Sequence, residues 1–284
     1  MELLKFLIDG LLLGFVYGVA AMGLSLIWGV MNVINLAHGP LISLGGFGVY
    51  LLFTGLGINP YLALMITALL GLLFGVAIYW VAIHRVINAP HLSTLLATFS
   101  VNMIIIGLGT ALFSTTPRNV AYDLGSLTFG SITVPLARLI AALASLVVAA
   151  ALYLFLYRTT PGKYVRAVAN NRSAAELMGI HSNRVLALSF GLGVMLAAIA
   201  GGLIATIFPF TILSGSAYEL KSFVIGVLGG LGNPLGALAG GLVLGMMEGV
   251  IPAYLPVTWV PVIEFLMFVL ILLFRPTGLF GGKQ

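Results

Sequence analysis

The residues able to do chemistry are few and scattered. The four histidines stand at positions 38, 84, 91 and 181, and no His-Glu-x-x-His run brings two of them to metal-ligand spacing. There is no cysteine, which removes disulfides and thiolate metal sites. Gly281-Gly282-Lys283 has no following hydroxyl residue and lacks the spacing of a phosphate-cradling loop, so this chain is expected to bind no nucleotide or other cofactor itself. Ser214-Gly215-Ser216 has no histidine nearby in the sequence to act as its general base. The sequence does not point to catalysis.

What remains are polar residues inside apolar stretches. Ionisable groups in a bilayer are costly and usually face a protein interior or a cavity. Asn32, Asn35, His38, Asn102 and Glu248 are therefore candidates for lining a solute pathway. Each has a plainer reading beside it. Asn102, flanked by Thr98 and Ser100, suits a helix–helix hydrogen bond, and Asn35 and His38 suit the capping of freed backbone. Glu248 and Glu264 suit a structural or interfacial role. Two lone glutamates with no Lys or Arg at the membrane centre argue against a proton-coupled carrier.

The elements that must position these residues follow from the charges. The 284 residues are 61% hydrophobic and only 7% charged, against roughly 25% charged in a soluble domain. That excludes a soluble enzyme, and the hydrophobicity excludes a disordered chain. A helix needs about 20 apolar residues to cross a bilayer. The charge-free runs, cut at their Gly, Asn and Pro breakers, give spans at about 7–28, 39–56, 61–83, 92–114, 136–157, 185–208, 235–252 and 258–274. A shorter apolar piece follows the polar patch Ser214–Lys221 and could cross only if its helix starts near Ser216. The fold class is an all-α polytopic membrane helix bundle of eight full spans plus one short or broken span, in a single domain over 1–284. The start of the chain, with Glu2, Lys5 and Asp9 and no small-residue cleavage site, does not read as a cleaved signal peptide.

Of the 12 Lys and Arg, Arg158, Lys163, Arg166, Arg172 and Arg184 fall within 158–184. The positive-inside rule makes that loop cytoplasmic. With the short element crossing, the C-terminus with Arg275 and Lys283 is cytoplasmic, and the N-terminus and the 115–135 loop are external. The 115–135 loop alternates Leu127, Phe129, Ile132 and Val134 with smaller residues, which predicts a small ribbon.

Many of the 36 glycines fall four residues apart: Gly10, Gly14 and Gly18; Gly232, Gly236 and Gly240; Gly241, Gly245 and Gly249; and the pair Gly71 and Gly75. Such ridges let neighbouring backbones approach, either within the chain or at a subunit interface. Two polar breaks, around Asn32–Pro40 and Gly229–Pro234, lie early and late, and interrupted spans in two halves point to an internal repeat and a pathway.

The segment Pro161–Arg184 is too polar for the bilayer and too patterned for a linker. Tyr164, Val165 and Val168 make an apolar face opposite Lys163 and Arg166, and Asn170-Asn171 ends that helix. Ser173 and Glu176 have capping-box spacing for a second helix, which Gly179 would close, with Leu177, Met178 and Ile180 as an apolar knob. The segment is either a connector lying on lipid headgroups or a docking element for a soluble partner.

Here a resemblance enters. Gly162-Lys163-Tyr164-Val165-Arg166-Ala167-Val168-Ala169, followed by Ala174-Ala175-Glu176-Leu177-Met178-Gly179-Ile180, is similar to the coupling loop of ABC-importer permeases, most of all those of the branched-chain amino acid importer family. The stretches Gly23–Gly39, Gly226–Gly241 and Arg275–Gly281 agree, so the resemblance spans nearly the whole chain. It implies a type II importer fold, ATPase coupling through the 162–180 residues just named, and import of branched-chain or other neutral amino acids. It also implies a second permease subunit, identical or homologous, two cytoplasmic ATP-binding subunits that carry ATP and Mg, and an external solute-binding protein, with no nucleic acid. The localisation implied is the inner (plasma) membrane. The alternatives are the same machine carrying urea or a short-chain amide, or a self-powered carrier or channel.

Overall fold

In the computed structural model, residues 2–129, 132–275 and 278–279 are described. The eight expected spans are present as α1 (Glu2–Met31), α2 (His38–Leu56), α3 (Pro60–Ile78), α4 (His91–Phe113), α5 (Leu136–Arg158), α8 (Ser182–Ala205), α10 (Pro234–Tyr254) and α11 (Val260–Phe274). Among the described residues eight helices, α3 extended by a π turn to Ile83 and α11 with the turn at Val257, are long and apolar enough to cross a membrane. The polar 158–184 segment forms two short helices, α6 (Thr160–Asn170) and α7 (Arg172–Leu177), and the short ninth element is α9 (Gly215–Gly229). Ser126–Phe129 and Ile132–Pro135 pair antiparallel as the expected ribbon.

Glycine decides which helices form the centre. α8 is buried along nearly all its length, because it carries glycines on every side. Gly191 meets Leu72 and Val76 of α3, Gly193 meets Gly23 and Ile27 of α1, and Gly201 meets Ile42 of α2. α1 packs against α8 on one side and α10 on the other. On the α10 side Gly10, Gly14 and Gly18 face Gly245, Gly241 and Leu238; a Cβ at Gly14 would lie 2.7 Å from the carbonyl oxygen of Gly241. The ridge holding Gly236 and Gly240 turns the other way, onto Gly229 and Ile225 of α9. The expected glycine ridges of α1 and α10 therefore serve packing within the chain. α3, α4 and α11 instead expose Leu, Phe and Val on their outer faces, as helices bathed in lipid do.

Two of the helices begin inside the bundle. After α1 the chain folds back as an extended segment, 32–37, so that the His38 ring donates from Nε2 to the carbonyl oxygen of Ala20, well inside α1. After α8 the chain folds back through 206–211 and a short 3-10 turn, Ile212–Ser214, before α9 starts. The two starts meet: a Cβ on Gly39 would lie 2.6 Å from the carbonyl oxygen of Gly215. From there α2 and α9 diverge. α2 runs to the ribbon end, where Phe53 meets Tyr122, and α9 runs to the opposite end, where Gly232 just beyond it packs on Gly29 of α1.

The two breaks expected to correspond are not equivalent. Residues 32–37 are an extended re-entry, matched by 206–214, whereas 230–233 is a tight turn matched by 57–59. Both tight turns end in the same cap. Asn59 accepts from the Tyr61 N–H with Pro60 at the first helical position, and Asn233 accepts from the Gly236 N–H with Pro234 there.

Candidate functional site

The α6–α7 segment is built by capping. The Thr159 hydroxyl accepts from the Gly162 N–H at 3.1 Å and starts α6 directly after α5. Gly162 is buried because α6 folds back on the end of α5; a Cβ there would lie 2.7 Å from the Leu156 Cα. Val165 and Val168 face the bundle as expected, but Tyr164 is exposed. The buried face of α6 is Gly162, Val165 and Val168, and Tyr164 lies one residue off it. Asn170 ends α6, and Asn171 caps α7 by accepting from the Ala174 N–H at 2.9 Å. The capping residue is thus Asn171, and Ser173 is the second residue of the helix.

Glu176 is engaged elsewhere. Its carboxylate accepts from the Ser182 hydroxyl and from Arg172 Nε at 3.1 Å. Both interactions, the Ser182 bond foremost, hold its pKa below the ordinary carboxylate range. Arg172 is the hub of this corner. Its remaining donors reach Asn88 of the α3–α4 connector at 3.0 Å and Asn183 at the start of α8 at 3.2 Å. Ser182 and Asn183 did not stand out in the sequence, and Asn88 reads there only as a helix breaker, because their partner lies far along the chain or across a turn. Gly179 sits at φ +83°, a left-handed conformation that closes α7 by letting the Ile180 N–H reach the Ala175 carbonyl at 3.1 Å. The closure leaves Leu177 and Met178 89% and 83% exposed, so these two project as an apolar knob, whereas Ile180, expected beside them, turns half-buried onto the bundle core. Lys163, Ala169 and Ala174 are exposed around it. Arg166 points the other way: its Nε donates to the Leu156 carbonyl at 3.1 Å and its guanidinium lies over the Tyr157 ring.

The interior polar residues form two groups. In the first, Asn35 and His38 are fully buried in and after the re-entrant segment, while Asn32, at φ +53°, is exposed at the end of α1. The freed carbonyls of the segment are met by α4. Asn102 Nδ2 donates to Leu36 O at 2.7 Å, and the Thr98 hydroxyl donates to Ile34 O at 3.1 Å. The start of α2 is met from α9, where the Glu219 carboxylate accepts from the Gly39 N–H at 3.3 Å. A carboxylate at a helix start is favoured by the aligned backbone N–H groups there. Glu219 was not singled out in the sequence because it stood in a polar patch.

In the second group, Lys221 of α9 pairs with Glu248 of α10 at 2.6 Å and lies 3.8 Å from Glu264 of α11. The Tyr17 hydroxyl of α1 donates to Glu248 at 3.4 Å, and the Lys221 ammonium sits over the Tyr17 ring. The two glutamates expected to be lone share one lysine. Reading Lys221 as part of a surface patch hid this, because α9 starts earlier and deeper than a span-end patch would.

His84 sits against Trp80 and Tyr79 at the end of α3. His181 stands just before the first residue of α8, and its side chain makes no capping hydrogen bond. Among the described residues no group of three His, Asp or Glu could hold a metal ion. Of the terminal motif Arg275–Gly281, Pro276, Thr277, Phe280 and Gly281 lie outside the described residues, as does Lys283; the Leu279 N–H donates to Leu228 O at the end of α9.

A family described as "Branched-chain amino acid transport system / permease component" matches residues 6–273. The permease protein LivH of the high-affinity branched-chain amino acid transport system of Escherichia coli is 30% identical, over 99% of this chain and 96% of LivH. BraD, the corresponding permease of Pseudomonas aeruginosa, is 28% identical, over 99% of this chain and 96% of BraD. The ribose import permease RbsC of Escherichia coli is 27% identical, over 82% of this chain and 73% of RbsC. No solved structure matches.

Proposed function

The chain belongs to the branched-chain amino acid transport permease family, and from that premise we propose that it is the membrane-spanning subunit of an ATP-driven importer for branched-chain or other neutral amino acids. It is a multi-pass membrane protein and a transporter subunit rather than an enzyme. ATP and Mg are bound by two separate cytoplasmic subunits, which dock on the α6–α7 segment. A second permease completes the path, and an external binding protein delivers the solute. The 158–184 segment and the C-terminus are cytoplasmic in this reading, and the 115–135 ribbon is external.

The observation that carries it is the projecting knob of Leu177 and Met178, two large apolar side chains held out by short, fully capped helices. Exposed apolar side chains on a polar, rigid segment mark a protein contact. Arg172 connects that segment to α8 and to the α3–α4 connector, so a push on α7 reaches the central helix of the bundle. The solute path is taken to run past the apposed starts of α2 and α9, with Asn35, His38, Asn102 and Glu248 near it. Transporters commonly place their sites where such interrupted helices meet.

The test is reconstitution in liposomes with the ATPase and binding-protein subunits, using Leu177→Glu and Met178→Glu. Uptake and solute-stimulated ATP hydrolysis should both collapse while membrane abundance stays unchanged. Full uptake by either variant, or by the permease without ATPase subunits, would overturn the assignment. Because the ribose permease is also a relative, the solute panel includes leucine, urea, a short amide and ribose.

A further inference from the structure

One end of the bundle carries a pocket on the bundle side of the docking helix α6, to which the transport reading gives no occupant. Its volume is about 260 Å³, and it lies where the last turns of α1 and α5, the amphipathic helix α6 and the α9–α10 turn converge. Its wall is apolar on the bundle side, where Leu26, Val30, Leu156 and Val165 line it. Arg166, Tyr157 and Asn233 supply the polar part, the Asn233 Oδ1 being engaged by the Gly236 N–H. No acid lines it.

Arg166 is held in a fixed pose there. Its Nε is tied to the Leu156 carbonyl at 3.1 Å, and its guanidinium stacks 4.5 Å from the centre of the Tyr157 ring. Neither terminal amino group has a hydrogen-bond partner among the described residues, and no carboxylate neutralises the charge there. A guanidinium fixed at one edge presents a two-pronged donor that fits a phosphate or carboxylate. Arg158 and Lys163 add positive charge on the same connector.

The position selects the anion. The pocket opens at the ends of membrane helices, where headgroups lie, and its inner wall is hydrocarbon. A small inorganic anion would leave that wall unfilled. We propose that the pocket binds the phosphodiester headgroup of an anionic phospholipid, with Arg166 on the phosphate and the glycerol and first acyl carbons against Val30, Leu26 and Leu156. Basic pockets between membrane helices bind anionic headgroups by this combination of charge and apolar wall.

Native mass spectrometry of the full-length chain in its transporter complex tests this, with phosphatidylglycerol and phosphatidylcholine as probes. The expected result is preferential retention of phosphatidylglycerol, weakened about tenfold by Arg166→Gln, as loss of a charge-assisted hydrogen bond requires. Arg158→Gln should change it little. Ala169→Phe, which fills the pocket from the exposed side of α6, should weaken it without removing a charge and covers the case in which Arg166→Gln does not fold. Equal retention of the two lipids, unchanged retention in both pocket variants, or displacement of the lipid by excess inorganic phosphate would overturn the proposal. The last outcome would make the pocket a free-anion site.

Discussion

The side-chain amide of Asn102 on α4 donates at 2.7 Å to the main-chain carbonyl of Leu36, in the re-entrant segment ahead of α2, a helix that α4 otherwise touches lightly. α4 presents most of its surface as exposed Leu, Phe, Met and Ile. Its polar face is spent on the re-entrant segment, with Thr98 repeating the arrangement two residues earlier on that segment. Unwound backbone at membrane depth is tolerated only where its polar groups find partners, and α4 provides them.

Asn102→Leu should therefore act on the re-entrant segment and not on α4 itself. Interhelical hydrogen bonds in membranes are worth about 0.6–2 kcal/mol. Thermal unfolding in detergent should show a loss in that range, with faster hydrogen exchange at 34–38. Unchanged melting together with unchanged exchange would show that the carbonyl of Leu36 finds another donor.

Two glycine substitutions should part company. Gly14→Leu drives a side chain into the Gly241 backbone, and the two helices cannot separate without losing their whole seam, so the variant should fail to accumulate in the membrane. Gly107→Ala lies in α4 with nothing within 4 Å and should be neutral or stabilise by up to about 1 kcal/mol. Abundance measured by quantitative immunoblot and melting in detergent checks both.

Lys221→Met removes the only cation shared by Glu248 and Glu264 among the described residues. Breaking a buried ion pair from one side costs about 3–5 kcal/mol, and this part-buried pair, 18% and 24% exposed, belongs at the lower end. The single variant should be strongly depleted from membranes, and adding Glu248→Gln should recover much of the loss because one stranded charge is removed with it. No recovery in the double variant would mean that the lysine acts through packing on Tyr17.

The α7 corner should be indifferent to pH until the medium is distinctly acid. The Glu176 pKa is depressed by Ser182 and Arg172, so its contribution is complete above the ordinary carboxylate pKa of about 4.3 and is lost only as pH falls through the lower folded value. Hydrogen-exchange protection factors of 172–180 should stay flat from neutral pH down to about pH 5. In Arg172→Gln the carboxyl returns toward its ordinary range, and protection should begin to fall at higher pH than in the parent.

The spans were legible because a bilayer forbids charge, so the positions of few residues located many helices. The α6–α7 pair was legible for the opposite reason: its Asn, Thr and Gly act on their own backbone within a few residues. Neither logic reaches the interior. Asn102 meets a carbonyl that has no sequence signature, and Lys221 meets Glu248 and Glu264 only once α9 is known to start deep, beside Gly39. The glycines of α8 were passed over because they do not keep a four-residue spacing; they serve three different neighbours, each needing a different face.

The seam between α1 and α10 also sets an order of events during synthesis. Tyr17 and its partner Glu248 are 231 residues apart, and the facing glycines bracket them. At roughly 5–20 residues per second, α1 is made some 10–50 s before the helix that covers it. For that interval the first helix carries an open glycine face with no lining of its own. Any chain that stops short of α10 leaves it so for good. The nascent protein is therefore most vulnerable to a wrong helical neighbour early, and a membrane-insertion factor that shields α1 until residue 249 has emerged would govern how much of it is recovered.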